Sequence, residues 1–455
     1  MKNEAKQPAK RDSFGSSFGA LVALAGSAVG LGNLWRFPYL VGQNGGAAFI
    51  LIYLGFVILA GLPVMLSEFI IGRRSQASAR ASFRKLAPGS RWGIAGILGV
   101  ICCILILSFY SVVGGWGVEY LFKAVRFDFT GGDPENLKSL FSSFSTSVWR
   151  PLTCHTIFLG VTAGIVLAGV QNGIEKFSKV MMPLLFLIVI GIAVRSMTLP
   201  GSGPGLSYLF KPDWSKVTSQ TFLAALGQAF FSLSLGSCMV ITYASYVKKE
   251  ANILSLSVQT AAADTVFALI AGCAIMPAVF AFGISPGEGP DLVFITLPHI
   301  FSQMPLGGVI AILFFVALLL AALTSAISIL EVIVAFCIEN FKMKRKAAVV
   351  LVFLLIWVLG ALCSLSLGPL SGWKVIGKNL FDLFDFLSAN FLMLIGGLLV
   401  VLFVGWKLGR AKVFDEVSNG GKLPIPAWML KTLLFLIRYV APAALLAIAI
   451  FQVHE

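Results

Sequence analysis

The sequence carries little charge and few of the side chains that build metal or hydrolytic centres. Of its 455 residues, 12% are Asp, Glu, Lys or Arg and three are histidine. A soluble domain averages about 25% charged residues, and a zinc centre needs His or Cys at ligand spacing. His155, His299 and His454 show no such spacing, and no nucleophile–base pair is apparent. These shortages argue against a soluble protein, a metal centre and a membrane enzyme.

The positions of the cysteines do not indicate a disulfide framework either. All seven fall within or at the ends of apolar stretches, at positions 102, 103, 154, 238, 273, 337 and 363. Free cysteine is among the most buried residue types and behaves as a small hydrophobe. We therefore expect buried thiols rather than disulfides. No signal-peptide pattern precedes the first apolar stretch.

Apolar residues dominate the chain, at 58% of the composition with 38 phenylalanines. A helix needs about 20 mostly apolar residues to cross a bilayer. Apolar runs between polar breaks predict an all-α polytopic membrane protein with a single domain over 1–455. The eleven predicted transmembrane helices are 13–39, 46–72, 92–123, 151–170, 176–198, 217–247, 252–283, 307–340, 347–367, 376–407 and 427–451.

The net charge of +14 comes from basic residues that are grouped in a few polar segments. Alternation of the predicted helices puts these segments on one side of the membrane. The positive-inside rule then predicts a multi-pass protein of the inner or plasma membrane, with its N-terminus in the cytoplasm. An odd number of helices puts the C-terminus outside. This distribution points to a lipid bilayer as partner and argues against nucleic acid.

Two of the predicted helices contain helix-breaking segments. Residues 26–38 read GSAVGLGNLWRFP and residues 234–238 read SLGSC. A broken helix in hydrocarbon is tolerated where protein, water or a ligand satisfies the freed backbone. Paired broken helices point to the binding site of a secondary transporter. Because they are the first and sixth helices, we predict two inverted five-helix repeats, 13–198 and 217–407, with 427–451 as an additional helix.

These motifs resemble the signatures of neurotransmitter:sodium symporters, in particular the bacterial amino-acid branch. The first-helix segment is followed by NGGAAF at 44–49, and FFSLSLG at 230–236 is followed by ITYASY at 241–246. A third match is AALTS at 321–325. The resemblance extends over ten helices and nearly the whole chain. It implies a LeuT-like fold, with helices 1 and 6 unwound at mid-membrane, and sodium-coupled amino-acid symport by alternating access.

An amino-acid substrate needs donors for its carboxylate and acceptors for its ammonium. Free amides of Leu31 and Gly32 begin the outer half of the first helix, where the helix dipole favours an anion. The resemblance adds the hydroxyl of Tyr110, for which an aromatic core position is the alternative. Carbonyl groups expected to accept from the ammonium lie near Ala28, Phe231 and Ser232.

The side-chain pocket is expected to suit a large hydrophobic or aromatic L-amino acid. Gly30 stands where monoamine transporters carry an aspartate, so a substrate with its own carboxylate fits better. Ser237 leaves room for a large side chain, although Cys238 replaces a usual glycine and takes some of it back. The other residues expected at the pocket are Ile106, Phe231, Ser234 and Ile329.

The resemblance also implies two sodium ions, which prefer oxygen ligands such as carbonyls and hydroxyls. The residues of the first ion site, completed by the substrate carboxylate, are Ala28, Asn33, Ser232 and Asp264. Those of the second are Gly26, Val29, Ala321, Thr324 and Ser325. For 321–325 the alternative is close packing, since small residues also promote helix contact in membranes.

Asp264 departs from relatives that have an asparagine at this position. Other relatives use a carboxylate four residues later, where this chain has Ala268. A carboxylate in mid-membrane indicates a functional site. We expect Asp264 to offset the sodium charge, so that chloride is not required. A proton-coupled carrier, with Asp264 or Glu68 titrating, remains an alternative, and so does a channel.

Gates are expected where charged and aromatic residues face the two vestibules. Outside, Arg36 would pair with Asp385 above Phe231. Inside, the residues of the expected latch are Arg11, Phe14, Tyr246 and Glu339, although Arg11 and Glu339 could also be ordinary interface charges.

Further positions are expected to support the machinery. Glu68 and Glu331 match family positions and would support the broken helix without touching substrate. Gly173 and Pro183 weaken the inner end of the fifth helix, which the family unwinds. Whether the protein is a monomer or a homodimer stays open.

Overall fold

The computed structural model describes residues 12–129, 132–284 and 292–452. Within these ranges the regular structure is helical, and nine helices are long and apolar enough to cross a membrane. We number them by the predicted order: span 2 (Ala47–Ser75), span 3 (Gly93–Val125), span 4 (Trp149–Leu167), span 5 (Val170–Met197), span 7 (Ile253–Ala281), span 8 (Gly307–Phe341), span 9 (Arg345–Leu365), span 10 (Leu380–Leu408) and span 11 (Ala427–Phe451).

The remaining two spans are broken, as the sequence predicts. Span 1 consists of Ser17–Ala28 and Gly32–Gln43, which meet at an angle of 51° and count together as a tenth crossing. Span 6 consists of Ser219–Ser232 and Met239–Ala244. Neither half of span 6 is long enough to cross alone, but together they occupy the predicted sixth position. The predicted all-helical fold with helices 1 and 6 broken is confirmed.

Backbone conformation explains why span 6 breaks where it does. Ser234, Gly236 and Cys238 have φ angles of 56°, 82° and 62°, which an α-helix cannot accommodate. At Gly236 a side chain is also excluded, because its Cβ would meet the Met393 carbonyl of span 10. The segment from Leu233 to Cys238 therefore crosses the break as turns.

The broken spans lie inside the helix bundle. The inner half of span 1 packs against spans 5, 7 and 8, and both halves of span 6 pack against span 2. Val29 and Gly30 at the first break are buried, as are 232–238 at the second. Backbone groups released by the two breaks therefore face protein rather than lipid, which is the condition for breaking a helix at membrane depth.

The polar connections contain short helices, including Pro134–Ser145 after span 3 and Thr296–Gln303 before span 8. All seven cysteines are free, and six of them are buried. Arg11 and the C-terminal residues 453–455 lie outside the described residues. At the inner end of span 5, Val170–Glu175 is a π-helix and the chain stays helical through Pro183, so the expected unwinding is not a feature of this structure.

Candidate functional site

A buried polar cluster joins spans 1, 6 and 7 at the breaks. Asn33 Nδ2 donates to Asp264 Oδ1 over 2.8 Å and to Ser232 Oγ over 3.1 Å. Ser232 Oγ donates to Asp264 Oδ2 over 2.7 Å. Each of the three side chains is at most 2% exposed. The structure thus brings together Asn33, Ser232 and Asp264, three of the residues predicted for the first ion.

Asp264 is surrounded by neutral donors. Among the described residues, no Lys or Arg nitrogen lies within 4.0 Å of its carboxylate, and its nearest polar neighbours are Asn33, Ser232 and Tyr53. A buried charge without a compensating charge is costly. The arrangement therefore favours binding of a cation or a proton at this carboxylate.

The same break is shaped by local hydrogen bonds in span 1. Val29 is extended, and the amide of Gly30 donates to Asn33 Oδ1 over 3.0 Å. Ala28 is the last residue of the inner half-helix. The Asn33 side chain therefore caps the restart of the helix with its oxygen while its nitrogen contacts Asp264.

Buried polar residues that the sequence analysis did not identify lie near this cluster. The Tyr53 hydroxyl of span 2 lies beside Ser232 and Asp264, and within the described ranges it makes no well-formed hydrogen bond. The Gln228 amide and the Thr260 hydroxyl likewise have no partner there. Gln228 and Thr260 each stand four residues before a predicted ligand, Ser232 and Asp264. This one-turn spacing from a predicted ligand is the sequence feature that could have identified them.

A second oxygen cluster lies between span 1 and span 8. The hydroxyls of Thr324 and Ser325 each donate to the Val29 carbonyl over 3.4 Å. Thr324 also donates to the Ala321 carbonyl over 3.0 Å. A Cβ on Gly26 would lie 3.3 Å from Thr324, so Gly26 is adjacent. The residues predicted for the second ion are neighbours in the structure.

The start of the outer half of span 1 faces Tyr110. The Leu31 amide donates to the Tyr110 hydroxyl over a long 3.5 Å. The position of Gly30 is closed to side chains, because a Cβ there would collide with the Ser325 hydroxyl. The Phe231 ring approaches Gly32, where a Cβ would lie 2.9 Å from it. The expected carboxylate-binding groups therefore converge beneath Phe231.

The span 6 break is connected to span 1 and span 3. Ser234 Oγ donates to the Ser27 carbonyl over 3.1 Å, and Ser237 Oγ donates to the Ser234 carbonyl over 3.0 Å. From span 3, the Cys103 thiol donates to the Ser237 carbonyl over 3.2 Å. These serines hold the turn in place, so their hydroxyls are already engaged.

The positions of span 3 and span 8 that were predicted to line the pocket are buried. Ile106 is 9% exposed and Ile329 is 2% exposed. Cys238 points towards Gly99 of span 3, because a Cβ on Gly99 would collide with the Cys238 sulfur. The sequence analysis expected Cys238 to take space from the pocket and did not identify Gly99, which accommodates the thiol.

Glu68 of span 2 contacts the second break directly. The Gly236 amide donates to Glu68 Oε1 over 2.7 Å, and the carboxylate is fully buried. Its second oxygen has no hydrogen-bond partner among the described residues. Glu68 therefore holds the unwound backbone of span 6.

The outer gate differs from the expected ion pair. The Arg36 guanidinium lies over the Phe231 ring at 4.6 Å from its centroid. In the described part of the chain, no ion pair within 4.0 Å joins Arg36 to Asp385, although the two charges are close enough to interact electrostatically. A cation–π contact thus takes the place of the predicted direct salt bridge.

At the inner end, Phe14 packs edge-to-face against Tyr243 and Tyr246, at centroid distances of 5.9 and 6.1 Å. Its amide donates to the Tyr246 carbonyl over 3.0 Å. Glu339 accepts from the Ser78 amide over 2.8 Å. The predicted latch between Arg11 and Glu339 involves a residue outside the described ranges.

Glu331 makes contacts that the sequence did not indicate. Arg345 Nη2 lies 2.5 Å from Glu331 Oε2, and the Tyr246 hydroxyl donates to Glu331 Oε1 over 2.7 Å. Arg345 also approaches Asp12 at 3.7 Å. Glu331 therefore fastens the inner end of span 6 rather than its break.

Two interrupted spans whose breaks surround buried polar groups define the class of protein. They are the architecture of a secondary transporter with a site at the middle of the membrane. Sequence comparison gives the particular family. The sequence model of the sodium:neurotransmitter symporter family matches residues 11–143 and 135–455, and the chain belongs to this family.

Individual relatives and a solved structure support the same family. The chain is 42% identical to the sodium-dependent transporter YhdH of Bacillus subtilis, over 95% of this chain and 96% of that protein. It is 31% identical to the sodium-dependent transporter MJ1319 of Methanocaldococcus jannaschii, over 92% and 86% of the two chains. The crystal structure of MhsT in complex with L-phenylalanine superposes with a TM-score of 0.89 at 44% identity, covering 97% of this chain and 99% of MhsT.

These findings establish the protein's general activity. It is an integral membrane protein and a sodium-coupled transporter of a small molecule, not an enzyme. The predicted LeuT-like fold is confirmed by the match to MhsT.

Proposed function

We propose that the protein is a sodium-coupled symporter of amino acids, with large hydrophobic or aromatic L-amino acids as its substrates. The observation that carries this proposal is the site beneath Phe231. There, the Leu31 amide and the Tyr110 hydroxyl converge and Gly30 carries no acid. A substrate with its own carboxylate suits these donors. The likeness to MhsT, solved with L-phenylalanine, supports an aromatic side chain.

Two sodium ions are the proposed coupling ions. The first binds at the Asn33–Ser232–Asp264 cluster and the second between Val29 and the hydroxyls of Thr324 and Ser325. Asp264 supplies the negative charge, so chloride is not required. A membrane potential of about 100 mV contributes about 2.3 kcal/mol per ion, and a tenfold gradient adds about 1.4 kcal/mol. Two ions therefore supply about 7 kcal/mol, enough for roughly 10⁵-fold accumulation.

Alternating access is proposed to move two five-helix repeats, 13–198 and 217–407, around this site, with the N-terminus in the cytoplasm. Arg36 is held on Phe231, and its closing partner is Asp385. The inner gate uses Arg11, Phe14, Tyr246 and Glu339. The unit of function is a monomer or a homodimer.

A thermal-shift screen of purified protein against all amino acids, in sodium or in potassium, tests the substrate proposal. A ligand that binds the folded state raises the melting temperature by mass action. We expect stabilisation by aromatic and large aliphatic L-amino acids in sodium and little in potassium. Stabilisation by none of the amino acids would contradict the proposal.

Substitution at Gly30 locates the substrate. Gly30→Ala introduces the collision with Ser325 alone, whereas Gly30→Asp also places a charge beside the substrate carboxylate. We expect Gly30→Asp to weaken amino-acid binding by roughly 100-fold, from about 2–3 kcal/mol of lost charge-assisted bonding, and more than Gly30→Ala does. Unchanged affinity in Gly30→Asp would mean that the substrate binds elsewhere.

A proton is the alternative to sodium as the cation that balances Asp264, because the neutral surroundings of this carboxylate favour a proton as well as sodium. In that case a pH gradient should drive uptake into sodium-free proteoliposomes. The sodium proposal expects no uptake under those conditions.

A further inference from the structure

A basic cavity and an apolar groove lie next to each other at the end of span 2 that carries the basic segment 73–85. The cavity measures about 560 Å³, and its charged lining includes Arg73, Arg74, Lys85, Lys249 and Lys422. The groove measures about 200 Å³ and is lined almost entirely by apolar residues of spans 2, 7 and 11. Neither belongs to the site at the breaks.

Three chain segments line both spaces, so the groove leads to the cavity. Span 2 contributes Leu62 and Leu66 to the groove and Arg73 to the cavity. Leu66 and Arg73 are seven residues apart and share a helix face. The segment entering span 7 contributes Lys249 to the cavity and Leu254 to the groove.

The third shared segment connects spans 10 and 11. Within it, Glu416 and Lys422 line the cavity, while Val417 and Ile425 line the groove. Trp428 and Leu433 of span 11 continue the groove. A ligand with a charged head and long apolar chains would contact the same three segments along its whole length.

A buried arginine fixes these segments to one another. Arg73 is 2% exposed; it donates to Glu416 Oε1 over 2.6 Å and to the Glu416 carbonyl over 2.5 Å. Its other nitrogen donates to the Ala251 carbonyl. The walls of the cavity are therefore built around a fixed side chain rather than formed by loose surface loops.

The cavity retains positive charge after its internal pairs are counted. Arg73 and Arg74 are matched by Glu416 and Asp415, and the Lys85 amine donates to the Ser75 carbonyl over 2.7 Å. Lys249 and Lys422 form no ion pair with any described residue, and Glu250 is the remaining acid of the lining. The lining therefore keeps a positive charge, and its exposed lysines are available to an anion.

We propose that this is a binding site for an anionic phospholipid. Its acyl chains lie in the groove between spans 2, 7 and 11, and its phosphodiester lies between Lys249 and Lys422. Basic pockets between helices on the cytoplasmic side bind acidic lipid headgroups in this way. A zwitterionic lipid would bring its own ammonium against the lysines and is disfavoured.

Phosphatidylglycerol is the probe, added to the detergent-purified full-length protein and compared with phosphatidylcholine of the same chains. We expect phosphatidylglycerol to give the larger rise in melting temperature and to be retained in native mass spectra. Lys249→Gln with Lys422→Gln should remove at least half of that difference. The matched control is Lys346→Gln with Lys412→Gln, two exposed lysines outside the cavity, which should keep it.

A second arm separates a lipid from a free phosphate. Val258→Trp fills the groove and leaves both lysines in place, and it should reduce retention of phosphatidylglycerol. Inorganic phosphate alone should not reproduce the stabilisation. Sodium-dependent stabilisation shows that each variant is folded, and single Lys422→Gln replaces the double variant if that one is not. Equal shifts with the two lipids, an unchanged shift in the lysine variant, or an equal effect of phosphate would overturn the proposal.

Discussion

Acidic residues at the rim of the bundle, the end that carries residues 73–85, are buried like those at the breaks but are compensated differently. At the rim, three buried carboxylates each contact a basic side chain. These pairs are Glu331–Arg345 at 2.5 Å, Glu416–Arg73 at 2.6 Å and Glu175–Lys179 at 2.7 Å. At the breaks, Asp264 and Glu68 accept hydrogen bonds from neutral groups.

The ion-paired carboxylates of the rim are suited to a structural role, whereas the carboxylates at the breaks are suited to transport. An internal ion pair fixes two segments whether or not an ion is bound, which suits the rim. A buried carboxylate with neutral donors leaves its charge to be balanced from solution. In a sodium-coupled family the balancing cation at Asp264 is proposed to be sodium.

Breaking a rim pair should cost the most stability. Arg73→Met removes the buried partner of Glu416, leaves it only the more exposed Arg74 at 3.1 Å, and takes the donor from the Glu416 and Ala251 carbonyls. We expect the free energy of unfolding to fall by about 3–5 kcal/mol. Arg73→Met with Glu416→Leu removes both charges and should recover much of that loss. Denaturant unfolding in detergent measures both, and equal stability of the single and double variants would contradict the compensated-pair interpretation.

Removing the charge at Asp264 should act on ion binding. Asp264→Asn keeps an oxygen but loses the negative charge, so sodium affinity should fall by roughly 100-fold, or about 2–3 kcal/mol, at low chloride. Part of the affinity should return as chloride rises, because an anion can replace the missing charge. Sodium titration of ligand binding measures this.

A second substitution distinguishes loss of the negative charge from a general disruption of the site. Adding Ala268→Glu to Asp264→Asn places a carboxylate one helical turn later and should restore affinity without chloride. If protons were the coupling ion, Asp264→Asn would instead remove the pH dependence of uptake with no chloride rescue.

Loss of the second oxygen cluster should have a smaller effect. Thr324→Ala with Ser325→Ala removes two hydroxyl ligands, each worth about 1 kcal/mol, and we expect sodium-dependent binding to be weakened by roughly 30-fold or lost in a folded protein. Ser328→Ala is the control, since that hydroxyl bonds Tyr243 and the Thr324 carbonyl. Unchanged sodium affinity in the double variant would remove the second site.

The smallest effect should come from the exposed end of the rim. Lys179 is 36% exposed, so its pair with Glu175 is screened, and Lys179→Met should cost less than about 1 kcal/mol. Glu175 keeps the Gly15 amide and the Ser16 hydroxyl as donors. A loss as large as that of Arg73→Met would show that exposure does not separate the rim pairs.

The sequence predicts the helices and their breaks well, because both depend on local composition. Span 2 was expected at 46–72 and runs Ala47–Ser75. A glycine-rich segment located the first break, and a run of small residues around a single glycine, SLGSC at 234–238, located the second. The motifs also indicated which residues meet at Asp264 and at Val29, although their roles as ligands stay predictions.

Contacts between distant side chains could not be predicted in the same way. Arg73 and Glu416 are 343 residues apart, and no local pattern links them. Arg36 could stack on Phe231 or pair with Asp385 from the same sequence, and the structure has the stacked arrangement. Tyr53 is ordinary in the sequence and becomes informative through its burial beside the cluster.

Uptake into proteoliposomes across a grid of sodium, chloride and pH gradients shows which cation balances Asp264, with the amino acid chosen by the thermal-shift screen. We expect concentrative, saturable uptake that requires an inward sodium gradient and is unchanged when gluconate replaces chloride. Uptake that depends on chloride, or that a pH gradient drives without sodium, would contradict the proposal that sodium balances the charge of Asp264.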